Sequence, residues 1–190
     1  MIAEIHCSVI LREVLRGLEC LHNEGQGHGS LNVENILVAE DGAVKLSNIQ
    51  ITNNLYTPPT TLDIPRHWLA PEQVYSYNKC DQTADIWAVG HTAMCMANGK
   101  SPFCQMNTAR LCGALRRSPP TLEGDFSDSF KNFVSQCLRL LPEHRATIEQ
   151  LLMHDFIQQH SKVSYKELVE IIEKCKRKQQ KQNKLVMDFL

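Results

Sequence analysis

The stretch from Asp81 to Met96 most strongly constrains the fold, because its apolar side chains point in nearly every direction around a helix. Ile86, Trp87 and Val89 fall on different sides of a single helical turn. A helix that is apolar all round is buried, so other elements must cover it on every side. Gly90 lowers the intrinsic helix stability of this stretch, which indicates that another element packs closely there. The sequence therefore predicts a domain built around one central buried helix.

The chain around this helix also has a mostly helical pattern. Apolar residues recur at helical spacing over a wide face between residues 3 and 22, and Gly25 and Gly27 follow where such a helix would end. Further amphipathic helices are predicted for three ranges, Thr108 to Leu115, Ser127 to Leu140 and Thr147 to His154.

Two short apolar runs, residues 35–38 and 43–46, lie on either side of Glu40, Asp41 and Gly42. An Asp-Gly pair between two such runs is typical of the tight turn of a β-hairpin. The predicted fold class is therefore mainly α, a helical bundle with one small β-hairpin.

The composition is that of an ordinary globular chain. A length of 190 residues is enough for one domain with a hydrophobic core, and a formal net charge of -1 provides no field that would attract nucleic acid or lipid. No apolar run is long enough to cross a bilayer, and charged residues interrupt the N-terminal stretch as they would not in a signal peptide. We expect no nucleic-acid partner and no transmembrane segment.

The 8 cysteines and 8 histidines are scattered, and no two cysteines form a C-x-x-C pair. This spacing favours buried free thiols over a disulfide framework, and it predicts no metal site. Free thiols are typical of a reducing compartment, so we expect a cytoplasmic protein.

The composition changes after Ser161, where an apolar stripe is followed by many cations. The stripe consists of Leu168, Ile171, Ile172 and Cys175. The cations are Lys174, Lys176, Arg177, Lys178, Lys181 and Lys184. We therefore divide the chain into a lobe over residues 1–157 and a basic amphipathic C-terminal tail over residues 158–190. The tail is either a solvated, charged helix end or a docking helix for a protein partner or a lipid.

A series of short motifs occurs in a fixed order along the lobe. They are HGSLNVEN at 28–35, LSNIQ at 46–50, WLAPE at 68–72, DIWAVG at 85–90 and the single residue Arg145. In this order and spacing they resemble the C-terminal lobe of eukaryotic protein kinases, and their wording is most similar to the sterile-20 group. The resemblance covers about residues 1–157. It implies a protein kinase C-lobe whose hairpin adjoins the catalytic loop, and a family that uses ATP and magnesium.

The resemblance also locates the positions that carry the chemistry. Phosphoryl transfer needs a carboxylate to accept the proton of the attacking hydroxyl and anionic ligands to hold magnesium. Ser30 stands at the proton-acceptor position, and Asn32 stands where the family has a phosphate-contacting lysine. Asn48 replaces the magnesium aspartate, while Asn35 matches the second metal ligand. A hydroxyl and a neutral amide cannot replace carboxylates in these roles, so no intact catalytic residue, ATP or metal is expected.

The architectural positions of the family are all present. His28 matches the residue that braces the catalytic loop, and Asp85 matches the aspartate that accepts hydrogen bonds from the backbone of that loop. Glu72 and Arg145 match the partners of a buried ion pair between the end of the activation segment and the last helices. The resemblance thus implies a preserved frame around altered reactive groups.

The glycine-rich loop and the ATP lysine of the family would lie in an N-terminal lobe, which precedes the stretch that this chain matches. These features predict a catalytically inactive, pseudokinase-like lobe that is not an enzyme and acts as a protein-binding scaffold or allosteric adaptor. Its partner would be a protein such as another kinase.

Two alternatives stay open. The chain could be a divergent serine/threonine kinase that transfers phosphate from ATP to protein only within a longer parent chain. It could also be a fragment without a stable independent role.

Overall fold

The computed structural model describes residues 2–50, 66–76 and 81–187, without the side chains of Arg66, Ser76, Thr108 and residues 178–187. The described elements are, in chain order, α1 (Glu4–Asn23), β1 (Ile36–Val38), β2 (Val44–Leu46), α2 (Pro71–Ser76), α3 (Gln82–Asn98), α4 (Thr108–Arg117), α5 (Asp128–Cys137), α6 (Ile148–Leu152), α7 (Asp155–Gln158) and α8 (Glu167–Met187). Short 3-10 helices lie at Val33–Asn35, Arg66–Trp68 and Pro142–His144. The mainly helical class with one small hairpin is confirmed.

The central buried helix is α3, as the sequence predicts. The side chain of Asp81 caps its start by accepting from the backbone N–H of Thr83, and Gly99 ends it in the left-handed conformation at φ 72°. Trp87 is fully buried at its middle. A Cβ atom at Gly90 would lie 2.6 Å from the Cβ atom of Cys137, so the missing side chain lets α5 pack directly on α3.

The helix predicted for residues 3–22 is α1, and it packs on α3, β2 and α6. Its Gly17 faces Leu46 of β2, where a Cβ atom would lie 2.9 Å from the Cδ1 atom of the leucine. The hairpin therefore lies directly against α1.

The two strands pair antiparallel, with Ile36 opposite Leu46 and Val38 opposite Val44. The turn between them closes through Gly42, whose φ of 87° favours glycine. The backbone N–H of Ser47 donates to the carbonyl oxygen of Asn35 at 3.0 Å, which continues the pairing beyond the strands. The hairpin thus brings the end of the 28–35 motif next to the start of the 46–50 motif.

The helix predicted from Thr147 to His154 is shorter in the structure, where α6 covers only Ile148–Leu152 and a separate helix, α7, begins at Asp155. Thr147 caps α6 in a reciprocal capping box with Gln150. His154 lies outside α6, and its Nδ1 atom accepts from the backbone N–H of Phe156 at 3.2 Å, which starts α7. Similarly, α5 ends at Cys137 rather than at Leu140, since the backbone of Leu138 leaves the helical conformation at ψ 47°.

The prediction of buried thiols is only partly correct. Cys7 and Cys137 are buried, while Cys20, Cys104 and Cys175 are exposed. All seven cysteines within the described residues are free thiols. The exposure of Cys175 also shortens the predicted apolar stripe of the tail, in which Leu168 is buried.

Within the part of the chain that the structure describes, no helix is long and apolar enough to cross a membrane.

Candidate active site

The backbone of the 28–35 loop is fixed by a carboxylate from the central helix. Asp85 is buried on α3 and accepts from the backbone N–H groups of His28 at 2.8 Å and Gly29 at 3.1 Å. The Nε2 atom of His22, at the end of α1, is also 2.9 Å from the Oδ2 atom of Asp85. A buried carboxylate with this many donors is well stabilised, so α3 positions the loop rigidly.

His28 is fully buried between the carboxylate and the rest of the loop. Its Nδ1 atom accepts from the backbone N–H of Ser30 at 3.3 Å. Burial lowers the pKa of His28, although the nearby Asp85 opposes this shift. The imidazole is therefore neutral near neutral pH and serves as an acceptor inside the loop.

Ser30 is also fully buried, and its side chain is already engaged. The hydroxyl donates to the backbone carbonyl oxygen of Asn48, and the Oγ atom is 3.4 Å from the Nδ1 atom of His28. This contact joins the 28–35 motif to the 46–50 motif through uncharged groups. A hydroxyl that donates to a carbonyl has no spare charge with which to accept a proton.

The side chain of Asn32 is hydrogen-bonded to the backbone of its own loop. Its Oδ1 atom accepts from the backbone N–H groups of Glu34 at 2.8 Å and Asn35 at 3.3 Å, which caps the 3-10 helix at 33–35. Its Nδ2 atom donates to the carbonyl oxygen of Ser30 at 3.2 Å. The side chain is 5% exposed, so the amide organises the loop and does not extend from it as a cation would.

The two positions that correspond to metal ligands in kinases carry neutral amides. The Nδ2 atom of Asn35 donates to the carbonyl oxygen of Ser30 at 2.6 Å, and Asn48 is exposed with φ 54°. In the described residues, no group of three or more His, Cys, Asp or Glu side chains could hold a metal ion. Magnesium prefers carboxylate and phosphate oxygens, so this pair of amides does not fit an ATP-bound magnesium ion by itself.

A buried ion pair ties α2 to the loop before α6. Arg145 binds Glu72 through both guanidinium nitrogens, with Nη1–Oε1 at 2.6 Å and Nη2–Oε2 at 2.7 Å. The remaining donors of Arg145 contact the carbonyl oxygens of Thr83 at 2.8 Å and Arg139 at 2.9 Å. The guanidinium carbon is 5.3 Å from the ring centre of Trp87. The N–H donors of the buried cation thus have acceptors, and Trp87 packs on one of its faces.

The sequence did not single out two histidines that the structure places in these networks. His22 shares Asp85 with the loop, and His91 stacks on Trp68 with ring centres 4.5 Å apart. The Nε2 atom of His91 is 2.8 Å from the Oγ atom of Ser101, and burial lowers the pKa of this histidine to about 3. The spacing of residues along the chain does not predict either contact, because the contacting residues come from different elements.

Most of the segment that would connect the 46–50 motif to WLAPE lies outside the described residues. This includes Thr52, Tyr56, Thr57, Thr60 and Thr61, whose hydroxyl groups are either ordinary loop groups or candidates for phosphorylation. It also includes Pro65, which the resemblance aligns with a threonine that bridges to the catalytic aspartate of the family.

Comparisons with known proteins agree with this architecture. Residues 1–157 match the family model described as "Protein kinase domain". The chain is 35% identical over 181 residues to "Serine/threonine-protein kinase dst1" of Dictyostelium discoideum, a match that covers 92% of the chain and 24% of that protein. It is 37% identical over 187 residues to "Serine/threonine-protein kinase sid1" of Schizosaccharomyces pombe (strain 972 / ATCC 24843), which covers 95% of the chain and 38% of that protein. The chain thus spans only a minor part of the length of these relatives.

These matches correct one expectation from the sequence. The prediction that the chain is not an enzyme is wrong in the light of its relatives, because both are named serine/threonine-protein kinases and the matched domain is that of an enzyme family. Ser30 and Asn48 still differ from the carboxylate residues that the family has at these positions. Both residues lie within the matched kinase domain. The family model covers most of the chain, and the ordered motifs and the helical lobe with its hairpin agree with this match. The chain therefore belongs to the protein kinase domain family.

Proposed function

We propose that this kinase lobe binds other proteins as a scaffold or allosteric adaptor, and that its frame keeps the binding surface rigid. The observation that carries the proposal is the contrast between the two halves of the site. Asp85 and the Glu72–Arg145 pair are fully engaged in hydrogen bonds, whereas Ser30 and Asn48 bring uncharged groups to the reactive positions. A rigid frame supports protein binding whether or not chemistry takes place beside it.

The surface between α2 and α4 offers side chains suited to such a partner. Tyr75 of α2 is 38% exposed, and Met106, which lies two residues before the start of α4, is 39% exposed. The hydroxyl of Tyr75 donates to the carbonyl oxygen of Cys112 at 2.9 Å, and the guanidinium carbon of Arg116 is 5.4 Å from its ring centre. Aromatic, methionine and arginine side chains are enriched where proteins meet, so this surface is the one we assign to a protein partner such as another kinase.

A charge substitution on this surface tests the proposal. Met106→Glu should remove cross-links between the tagged full chain and its partner in cells, because a carboxylate that a bound partner covers must be desolvated. Met153→Glu is the matched control, since Met153 is 69% exposed and lies at the end of α6, elsewhere in the chain. Equal loss, or no loss, in the two variants would contradict the assignment of the surface.

A second candidate function is phosphate transfer from ATP to protein within a longer chain that supplies the N-terminal lobe. The names of the two relatives favour it, and Asn35 retains a metal-ligand residue type of the family. The two functions are compatible, since a lobe that binds a protein can also position that protein to receive phosphate from ATP. A radiolabelled ATP assay on a chain with both lobes tests this candidate, and an unchanged rate in an Asn35→Ala variant would speak against a role for this site.

The ion pairs in the exposed part of α8 favour a solvated, charged helix end over a lipid-binding helix. Lys174 lies 3.9 Å from Glu170, and Arg177 lies 3.1 Å from Glu173. Cations that already have carboxylate partners attract an anionic surface less strongly. A cytoplasmic location belongs to the same proposal, and fractionation of cells that express the tagged chain would test it.

A further inference from the structure

The side chain of Arg12 fixes the path of the chain after α7. Arg12 is 8% exposed, and its guanidinium donates to the backbone carbonyl oxygens of His160 at 2.9 Å, Ser161 at 3.2 Å and Val163 at 2.9 Å. The Nε atom also contacts Glu13 at 3.1 Å. A buried guanidinium is costly unless its donors are satisfied, and here backbone carbonyls of the C-terminal segment satisfy them. The segment beyond residue 157 is therefore bound to α1.

The turn of the hairpin fits against the same segment. Gly42 is buried, and a Cβ atom at this position would lie 2.2 Å from the carbonyl oxygen of Tyr165. Such an approach is too close for any side chain, so a glycine here allows the backbones of the turn and the segment to touch. The turn is thus shaped to receive the backbone at Tyr165.

Apolar packing and one exposed ion pair extend this attachment into α8. Leu168 is 2% exposed, and Val163 and Ile171 pack on the hydrophobic core from the same segment. The Nζ atom of Lys176 forms an ion pair with Glu40, the residue before the Asp-Gly turn. Residues 160–177, which we call the C-terminal clamp, therefore contact α1, the core and the turn.

The hairpin needs this support. An isolated two-stranded hairpin is marginal in water, and Leu37 and Val38 of β1 are 52% and 36% exposed. On the other side, Gly17 of α1 contacts Leu46 of β2. The strands are therefore held by α1 at their base and by the clamp at their turn.

The strands also connect the turn to the candidate active site. Asn35 directly precedes β1, and Ser47 and Asn48 directly follow β2. The hydrogen bond from the backbone N–H of Ser47 to the carbonyl oxygen of Asn35 closes this end of the hairpin at 3.0 Å. We propose that the C-terminal clamp is a conformational device that holds the hairpin in place and so sets the positions of Asn35 and Asn48. Release of the clamp from α1 loosens the hairpin and the site together, while α3 and α5 stay folded.

Hydrogen exchange on the full chain tests this coupling. Arg12→Met removes the donors to the clamp but keeps an apolar stem, and Leu168→Ala weakens the clamp from α8. Each variant should speed exchange of the amides of Ala39, Gly42 and Ser47 by at least about tenfold, with little change in α3 and α5. Arg16→Met is the matched control, since Arg16 is exposed on the same helix and is paired with Glu13. An unchanged hairpin, or equal acceleration in the hairpin, α3 and α5, would overturn the proposal.

The unmodified chain provides a second measurement that does not depend on how well the variants fold. In native-state exchange at low denaturant concentrations, amides of the hairpin and of α8 should open with one shared free energy and denaturant dependence. This value should lie below that of α3. Separate opening of the hairpin and α8, each with its own denaturant dependence, would show that the clamp does not control the hairpin.

Discussion

Arg145 and Glu72 lie 73 positions apart in the chain and form a two-point ion pair, with nitrogen–oxygen distances of 2.6 and 2.7 Å. The side chain of Arg145 is 1% exposed and that of Glu72 is 11% exposed. Breaking a buried pair leaves one charge without its partner, so Glu72→Ala should lower the free energy of unfolding by about 3 to 5 kcal/mol. Urea denaturation measures this loss.

The control for this pair is Lys174→Ala. Lys174 and Glu170 form an exposed pair at 3.9 Å, with side chains that are 71% and 77% exposed. Such pairs contribute little, so the control should change the free energy of unfolding by less than about 0.5 kcal/mol. A similar effect of both substitutions would mean that the buried pair does not hold α2 to the last helices.

Asp85→Asn tests the carboxylate that fixes the 28–35 loop. An amide oxygen cannot satisfy all the donors that now face Asp85, and the amide nitrogen adds donors of its own. We expect the free energy of unfolding to fall by about 3 kcal/mol, because buried N–H groups of the loop lose their acceptor. Thermal unfolding measures the loss, and Asp128→Asn in the first turn of α5 is the control. Full retention of stability in Asp85→Asn would contradict the role of this carboxylate.

Gly90→Ala and Gly113→Ala form a matched pair within helices. At Gly90 a Cβ atom would lie 2.6 Å from the Cβ atom of Cys137 and 2.8 Å from the Cγ atom of Leu138. At Gly113 a Cβ atom would meet no side chain or other element of the described residues within 4 Å. The first substitution should destabilise the lobe by about 1 to 3 kcal/mol through overpacking. The second should stabilise it by about 0.5 to 1 kcal/mol through helix propensity. Urea denaturation measures both changes in the free energy of unfolding. Changes of the same sign in the two variants would contradict the close packing of α5 on α3.

The stability of the lobe should depend on the charge state of His91. Burial lowers the pKa of His91 to about 3 from the usual 6.5, with a smaller contribution from His67. The unfolded chain therefore binds a proton that the folded chain does not, so stability is lost as the pH falls below about 6.5. Between pH 7 and 5, the free energy of unfolding of His91→Gln should fall by about 2 kcal/mol less than that of the unmodified chain.

The measurement is urea denaturation at a series of pH values. His28 and His67 also have lowered pKa values and remain in the variant, so some pH dependence will persist. Identical pH dependence in the unmodified chain and in His91→Gln would contradict a neutral, buried imidazole at this position.

The sequence predicts those elements whose pattern is local. The period of apolar residues locates α1 and α3, and the Asp-Gly pair locates the hairpin turn. Gly90 even indicates a close contact, although not that α5 makes it. The ordered motifs place Ser30 and Asn48 in one site, and their direct contact across the loop emerges only in the structure.

Features that join distant elements were not predictable in this way. His22 contacts Asp85 from another helix, and Arg12 binds carbonyl groups about 150 positions away. A cation in an amphipathic helix has the same local pattern whether it is solvated or buried. The division of the chain at residue 157 likewise rests on a change in composition, which does not report that Leu168 is buried against the lobe.

The lobe keeps the frame of a kinase domain, and we propose that Ser30 and Asn48 limit phosphate transfer at this site. The most direct test joins the chain to the N-terminal lobe of a serine/threonine kinase of the same family and measures phosphate transfer from labelled ATP. Ser30→Asp combined with Asn48→Asp should raise the rate at least about 100-fold, since the added carboxylates would supply a proton acceptor and an anionic ligand for magnesium. Equal rates with and without the two substitutions would contradict the claim.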